Sequence, residues 1–219
     1  MNADDPDADL ARQRPSMRVI QKERTRRLLR DAAVELFASK GYTATTIDDI
    51  TTAIGASRAT FYLHYDGKAR IVSEVYEDVI MPETLEFYRR LDSFDGPSED
   101  ELRGWLEDAM GFFERHRQIL LFGDEAFSTE PSLDELSPAR LLDRCAEAMP
   151  RYLGRWHGRE RQQAQFRLEL LILQISYFAR LWVDGHWPVK RDLLIDVLFD
   201  LWAHGLRAGG QDKDRIRPS

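Results

Sequence analysis

Residues 45–68 read TTIDDITTAIGASRATFYLHYDGK, and the reading of this stretch decides the fold. Ile47, Ile50 and Ile54 recur at i, i+3 and i+7, which puts them on one face of a helix. Thr45 and Thr46 stand just ahead of it, where a hydroxyl can accept a hydrogen bond from one of the helix's unpaired N–H groups. Asp48 and Asp49 in the first turn suit the positive end of the helix dipole. Gly55 supplies the permissive backbone on which the helix ends. Ser57 then caps a second helix from Arg58 to about His64, on which Phe61 and Tyr65 share a face one turn apart. Helix, glycine-containing turn, helix is the spacing of a helix-turn-helix. The groups left outside are Ser57, Thr60, Tyr62 and His64, which form hydrogen bonds, and Arg58 and Lys68, which are cationic. Such groups satisfy phosphate oxygens and base edges. A solvated helix pair in a larger bundle also keeps a polar outer face, so the stretch taken by itself leaves a structural role open beside DNA binding.

Its surroundings narrow the choice. Ala33, Leu36, Phe37, Gly41, Tyr42, Thr45, Thr46, Ile50, Gly55, Ser57, Thr60, Phe61, Tyr62, His64, Tyr65 and Lys68 follow one another in an order and spacing that resembles the TetR-type (tetracycline-repressor-like) family of bacterial transcriptional regulators. The resemblance covers roughly residues 22–80 and rests on a run of the form T-x-Y-x-H-aromatic-x-x-K after a G-x-S turn. Ala69 departs from it, standing where an acidic residue is usual. The resemblance implies an all-α fold: an N-terminal three-helix helix-turn-helix DNA-binding domain followed by a C-terminal helical ligand-binding and dimerisation domain. It also implies a homodimer on double-stranded DNA with a palindromic operator, an effector pocket enclosed by the middle helices, and a lever role for the helix after Lys68.

In this reading Arg58 reads a base, because a guanidinium can donate twice to guanine, and Ala59 touches a thymine methyl. Thr46, Ser57, Thr60, Tyr62, His64 and Lys68 hold phosphates, with Thr45 beside them at the edge of the site. Loss of Lys68 is then expected to weaken binding to all DNA sequences alike.

The net charge of −7 runs against a DNA binder until it is divided along the chain. Residues 12–70 carry +6, residues 1–11 carry −4 and the remainder carries −9. A basic segment on an acidic body is the asymmetry expected when one domain approaches phosphates. With 43% hydrophobic and 11% aromatic residues, the 219-residue chain can bury a sizeable core. No apolar run approaches the ~18 residues of a membrane span, and the start of the sequence has no signal-peptide pattern. The single cysteine, Cys145, suits a reducing cytoplasm and reads as a small buried hydrophobe.

The domain boundaries expected from composition and periodicity are a disordered arm over 1–19, the DNA-binding domain over 20–67 with the helix-turn-helix at about 46–65, a helical body over 68–208, and a tail over 209–219. Arg12, Arg14 and Arg18 make the second half of the arm basic. The first helix is expected from about Gln21 to Lys40, with Leu29, Ala33, Leu36 and Phe37 as its core stripe and Arg24, Arg26, Arg27 and Arg30 near phosphates. Pro82 is expected to end or kink the helix that follows Lys68, and Asp92 to Ser98 to form a loop. Ser98 caps a helix, and Ser137 with Pro138 opens another.

The last two helices, about Arg161–Asp184 and Lys190–Arg207, are apolar on two faces and must be covered on both. One face fits its own domain and the second implies a partner, which makes Leu170, Leu173, Tyr177, Leu181, Leu194, Val197, Leu198 and Leu201 the expected dimer interface. The candidate ligand-binding set is Trp105, Phe112, Phe113, Phe122, Tyr177 and Phe178, and few cations on these faces suggest an apolar or aromatic effector. No catalytic signature is present: no phosphate-binding loop, G-x-S-x-G, H-E-x-x-H or C-x-x-C occurs, and the five histidines are scattered. No enzyme activity, cofactor or metal is expected. The rival reading is a helical small-molecule or partner-binding protein whose helix-turn-helix is structural only.

Overall fold

The computed structural model describes residues 16–94, 96–136 and 138–207. Among them there are helices and turns and no strand. The chain divides into two compact units, Met1–Ile71 and Val72–Ser219.

In the first unit, α1 (Met17–Lys40) starts four residues earlier than its periodicity suggests, because the Ser16 side chain accepts from the Val19 N–H and caps it. Residues 17–19 are therefore helical and do not belong to an arm; residues 1–15, with Arg12 and Arg14, lie outside the described residues. Leu29, Ala32, Ala33 and Phe37 form the buried stripe, while Leu36 is only half-buried. Gly41 closes α1 at φ 89°, a left-handed backbone value that favours glycine. Helix α2 (Ile47–Ala53) opens with a capping box. The Asp49 N–H donates to the Thr46 hydroxyl at 3.1 Å, and the Thr46 N–H donates to the Asp49 carboxylate at 2.8 Å. Gly55, at φ 65°, turns the chain into α3 (Arg58–Tyr62), which Ser57 caps by accepting from the Thr60 N–H at 3.1 Å. The division between the units falls inside α4 (Lys68–Val75), a few residues beyond the boundary expected at 67.

The second unit begins within α4 and continues through a π-helical turn, Tyr76–Ile80, into α5 (Met81–Ser93). Pro82 therefore does not end the helix. A proline in a helix lacks the N–H and presses on the carbonyl four residues back, and here a wider turn lies directly upstream to absorb both, with the Met81 N–H bonded to the Tyr76 carbonyl. Then come α6 (Glu99–Arg115), capped by Ser98 and Glu101, α7 (Arg117–Thr129), a 3-10 segment Pro131–Leu136, α8 (Pro138–Glu147) and α9 (Pro150–Gly154). The long α10 (Gly158–Val183) and α11 (Arg191–Arg207) complete the unit. The expected cap at Ser137 and the tail from Gly209 lie outside the described residues.

The expected loop over Asp92 to Ser98 is shorter than its composition suggests, because Asp92 and Ser93 still belong to α5. Asp92 is buried and works as the N-terminal cap of another helix. Its carboxylate accepts from the backbone N–H of Arg151 at 2.9 Å and of Tyr152 at 2.7 Å, at the start of α9. Asp92→Asn keeps the shape but leaves one accepting oxygen for two N–H donors, so it should lower unfolding free energy by about 1–3 kcal/mol. Urea denaturation of the full chain checks this; an unchanged midpoint would mean that α9 needs no cap. The core of the unit is an aromatic cluster. Trp105 stacks on Phe87 with ring centroids 4.1 Å apart and meets Trp202 at 4.8 Å, while its indole N–H donates to the Phe87 carbonyl at 2.9 Å.

Candidate nucleic-acid interface and ligand cavity

The short α3 owes its orientation to what it buries. Phe61 and Tyr65 are buried, Tyr65 donating its hydroxyl to the Arg26 carbonyl at 3.3 Å. This leaves Ser57, Arg58, Ala59 and Tyr62 exposed along the other side, with Thr60 half-buried beside them. Arg58 reaches back across the turn to Asp48 at 2.9 Å; with both side chains largely exposed, such a pair holds weakly and releases readily to a stronger acceptor. Leu63 is 74% exposed next to Tyr62, an apolar contact that hydrophobic patterning does not anticipate, because a leucine is ordinarily assigned inward.

Four of the expected contact residues are placed differently. Thr45 is 1% exposed and its hydroxyl donates to the Gly41 carbonyl at 2.7 Å, so it closes a turn. Thr46 is exposed, but its hydroxyl is engaged by the Asp49 carboxylate at 2.8 Å. Lys68 turns inward: its ammonium donates to the carbonyls of Tyr42 at 2.8 Å and Thr45 at 2.6 Å and sits 4.3 Å over the Tyr42 ring. His64 is half-buried with an unpartnered Nδ1, and burial, aided by the nearby charges of Lys22 and Arg26, lowers its pKa and keeps the ring neutral at pH 7. It contributes no positive charge toward phosphate. Of the arginines on α1, Arg26 is drawn into the unit, donating to the His64 carbonyl at 2.6 Å and lying 4.3 Å over the Tyr65 ring, whereas Arg24 and Arg27 are exposed. Asp49, bonded to Lys40 and to Thr46, is held well below the ordinary carboxylate range. Its contribution to stability is present above about pH 4 and is lost as pH falls toward that lowered value.

The second unit encloses a cavity of about 290 Å³. Phe112, Phe113 and Tyr177 of the expected set line it, together with Tyr76, Phe87 and Phe127. The other three do not. Trp105 is core, Phe122 is buried elsewhere, and Phe178 packs on Trp187 with centroids 4.3 Å apart. Tyr76 comes close to α7 because Gly123 offers no side chain: a Cβ there would meet the Tyr76 hydroxyl at 2.0 Å. The ring stands edge-on to Phe127 at 4.8 Å. Arg180 is ion-paired with Asp124 on the cavity wall. Cys145 also lines the cavity, and burial pushes its thiol up to about 12, so it stays protonated.

The expected dimer residues fall into three groups. Leu170, Leu173, Tyr177, Val197 and Leu201 are exposed, Leu181 is half-buried, and Leu194 and Leu198 are buried. Leu194 and Leu198 share a face with Trp202, which packs on Trp105, so they belong to the unit's own core. Phe166 and Leu193 take their place in the exposed apolar row. Among the described residues, no helix is long and apolar enough to cross a membrane, and no group of three or more His, Cys, Asp and Glu side chains could hold a metal ion.

A capped helix-turn-helix followed by an all-helical body with its own cavity defines a class of two-unit helical proteins. Residues 29–75 match the model of the bacterial regulatory proteins of the tetR family. The N-terminal segment of the chain is thus of the TetR type. It is 42% identical over 48 residues to the icaADBC biofilm-operon negative transcriptional regulator IcaR of Staphylococcus epidermidis, covering 22% of this chain and 26% of that protein. It is 29% identical over 94 residues to the transcriptional repressor KstR2 of Mycolicibacterium smegmatis, covering 43% of this chain and 46% of that one. The matches thus span less than half the length of these curated relatives. Solved structures extend the likeness in fold to most of the chain. A TetR-like transcriptional regulator from Rhodococcus sp. RHA1 aligns with a TM-score of 0.55 at 22% identity over 84% of this chain and 96% of that one. The TetR family regulator PfmR from Thermus thermophilus aligns at 0.56 and 21% identity over 82% and 98%.

Proposed function

We propose that the chain is a cytoplasmic, homodimeric transcriptional repressor that binds a palindromic operator and is released from it by a small apolar or aromatic effector. The observation that carries the DNA-binding part is the exposed row of Ser57, Arg58, Ala59 and Tyr62 on a helix anchored by buried Phe61. A helix so presented fits the major groove, with Arg58 donating to guanine and Ala59 and Leu63 offered to thymine methyls. Ser57, Thr60, Tyr62 and the exposed Arg24 and Arg27 are the phosphate-side groups. The sense of repression follows the negative regulator and the repressor among its relatives. The exposed apolar row on α10 and α11 supports pairing with a second copy, and two-fold symmetry then sets half-sites about 34–36 Å apart or a multiple of it. The effector acts by preferring one of two conformations, and shifts the balance only by its difference in affinity for them.

Fluorescence anisotropy on DNA from directly upstream of the protein's own gene, titrated in salt against an unrelated fragment, tests this reading. Specific binding with a steep negative salt slope is expected; no preference for any genomic fragment would leave the helix-turn-helix a structural element. Arg58→Ala should relax the preference at one base position at a cost of about 1–3 kcal/mol while other positions keep theirs. Operators substituted one base pair at a time give the readout, and an unchanged preference at every position would remove Arg58 from base reading.

A further inference from the structure

The cavity in the second unit is apolar over most of its wall, through Phe87, Phe112, Phe113, Phe127, Leu120 and Ile172, but one part of it is not. The Tyr76 hydroxyl is buried without a hydrogen-bond partner on a residue only 5% exposed, and the Nε of Arg180 is likewise buried and unpartnered. Both residues line the cavity, and Arg180 and Asp124 act electrostatically on Tyr76, which places the three groups together. Buried polar groups without partners are uncommon in folded proteins, and a cluster of them on a cavity wall calls for an occupant. Tyr76 also opens the π-helical turn Tyr76–Ile80, and such turns recur at functional sites.

The charges on the wall decide what kind of occupant fits. Arg180 is neutralised by Asp124, and Arg144 is bound by Glu77 through two bonds of 2.8 and 3.3 Å. No net charge is left over among these four groups. A carboxylate or phosphate would lie beside Asp124, whose own pKa burial already raises, and two anions in a desolvated site repel strongly. A hydrocarbon would displace water and leave the two donors unpaired. A single carbonyl oxygen has two lone pairs and no charge.

From this geometry we infer that the cavity takes a small neutral molecule, apolar over most of its surface, whose one polar end is a carbonyl oxygen accepting from the Tyr76 hydroxyl and the Arg180 Nε. At about 290 Å³ the space lies at the small end of ligand pockets, ~300–1,000 Å³, which suits one ring with a short chain. The inference rests on the proposed reading of this body as an effector-binding unit.

The test is isothermal titration of the full chain with three probes of similar size: 4-phenylbutan-2-one, 4-phenylbutanoate and butylbenzene. The ketone should bind at least ~10-fold tighter than either of the others, the discrimination expected when one acceptor meets two donors, one of them charged. Tyr76→Phe should weaken the ketone, to which only the Arg180 Nε then donates, by about three- to ten-fold while butylbenzene binding stays as it was, which also shows that the variant is folded. Butylbenzene binding as tightly as the ketone would overturn the carbonyl assignment and keep the cavity as a ligand site. Tightest binding of the carboxylate would overturn neutrality. Absence of binding by all three would overturn both this inference and the effector reading of the cavity, while leaving DNA binding to its own assay.

Discussion

Val197→Glu combined with Leu201→Glu should give a folded monomer whose affinity for operator DNA is at least about 100-fold weaker than that of the parent. Phe166, Leu170, Leu173 and Tyr177 on α10, with Leu193, Val197 and Leu201 on α11, stay exposed over fractions from 42% at Leu173 to 67% at Tyr177. Spacings of three and four residues keep each set on one side of its helix, so the row is continuous along the helix and is not a scatter of single hydrophobes. A row of this kind can pack against its own copy across a two-fold axis, as the proposed dimer of identical chains requires. Two glutamates in its middle must either be desolvated or hold the interface open, and each desolvated charge costs several kcal/mol. In the monomer both remain in water, so stability should change by less than about 0.5 kcal/mol. Once the heads are no longer joined, the second half-site ceases to be an intramolecular event, and the gain of ~10²–10⁴ from linkage disappears. Sedimentation velocity reads the first effect and anisotropy the second. A double variant that still sediments as a dimer would move the interface to another face.

The same two helices show why part of the molecule was legible in the sequence and part was not. Local signals carried far: the Thr46–Asp49 and Ser98–Glu101 boxes, the Ser57 cap and the left-handed glycines at 41 and 55 all act within a few residues, where spacing alone specifies geometry. The choice between the two apolar faces of α11 is not local. Leu194 and Leu198 go inward because Trp202, on their face, meets Trp105 on α6, and nothing in 191–207 announces that partner. The cavity shows the same limit. Aromatic content pointed to the unit that holds the cavity, but Trp105 and Phe122 filled its core while Tyr76 and Phe127 reached the cavity. Its polar corner joins Arg180 to Asp124 across 56 residues of sequence, and it depends on Gly123, whose role is to be absent as a side chain. Lys68 is the sharpest case, because its partners are backbone carbonyls 23 and 26 residues away, which have no side-chain identity to read.

Lys68→Ala should accordingly reduce DNA binding by destabilising the N-terminal unit, by about 2–4 kcal/mol, and should leave the salt dependence of the remaining binding unchanged. The ammonium holds two carbonyls in the turn between α1 and α2 while standing over the Tyr42 ring, itself packed on Phe37 at 5.1 Å. Hydrogen bonds from a charged donor are worth about 1.5–3 kcal/mol each. Partial exposure of the side chain trims that sum, because water can reach part of what is left behind. The loss falls on the turn that sets Thr46 in place as the cap of α2, so the helix-turn-helix should loosen as one piece. A phosphate contact would behave in the opposite way. Removing it lowers the slope of log K against log salt by about 0.9 and leaves the folded unit as stable as before. Melting curves of parent and variant, with anisotropy measured at a temperature where both are folded, separate the two. A shallower salt slope together with an unshifted melting point would return Lys68 to the DNA, and the inward bonds would then be those of the unbound protein only.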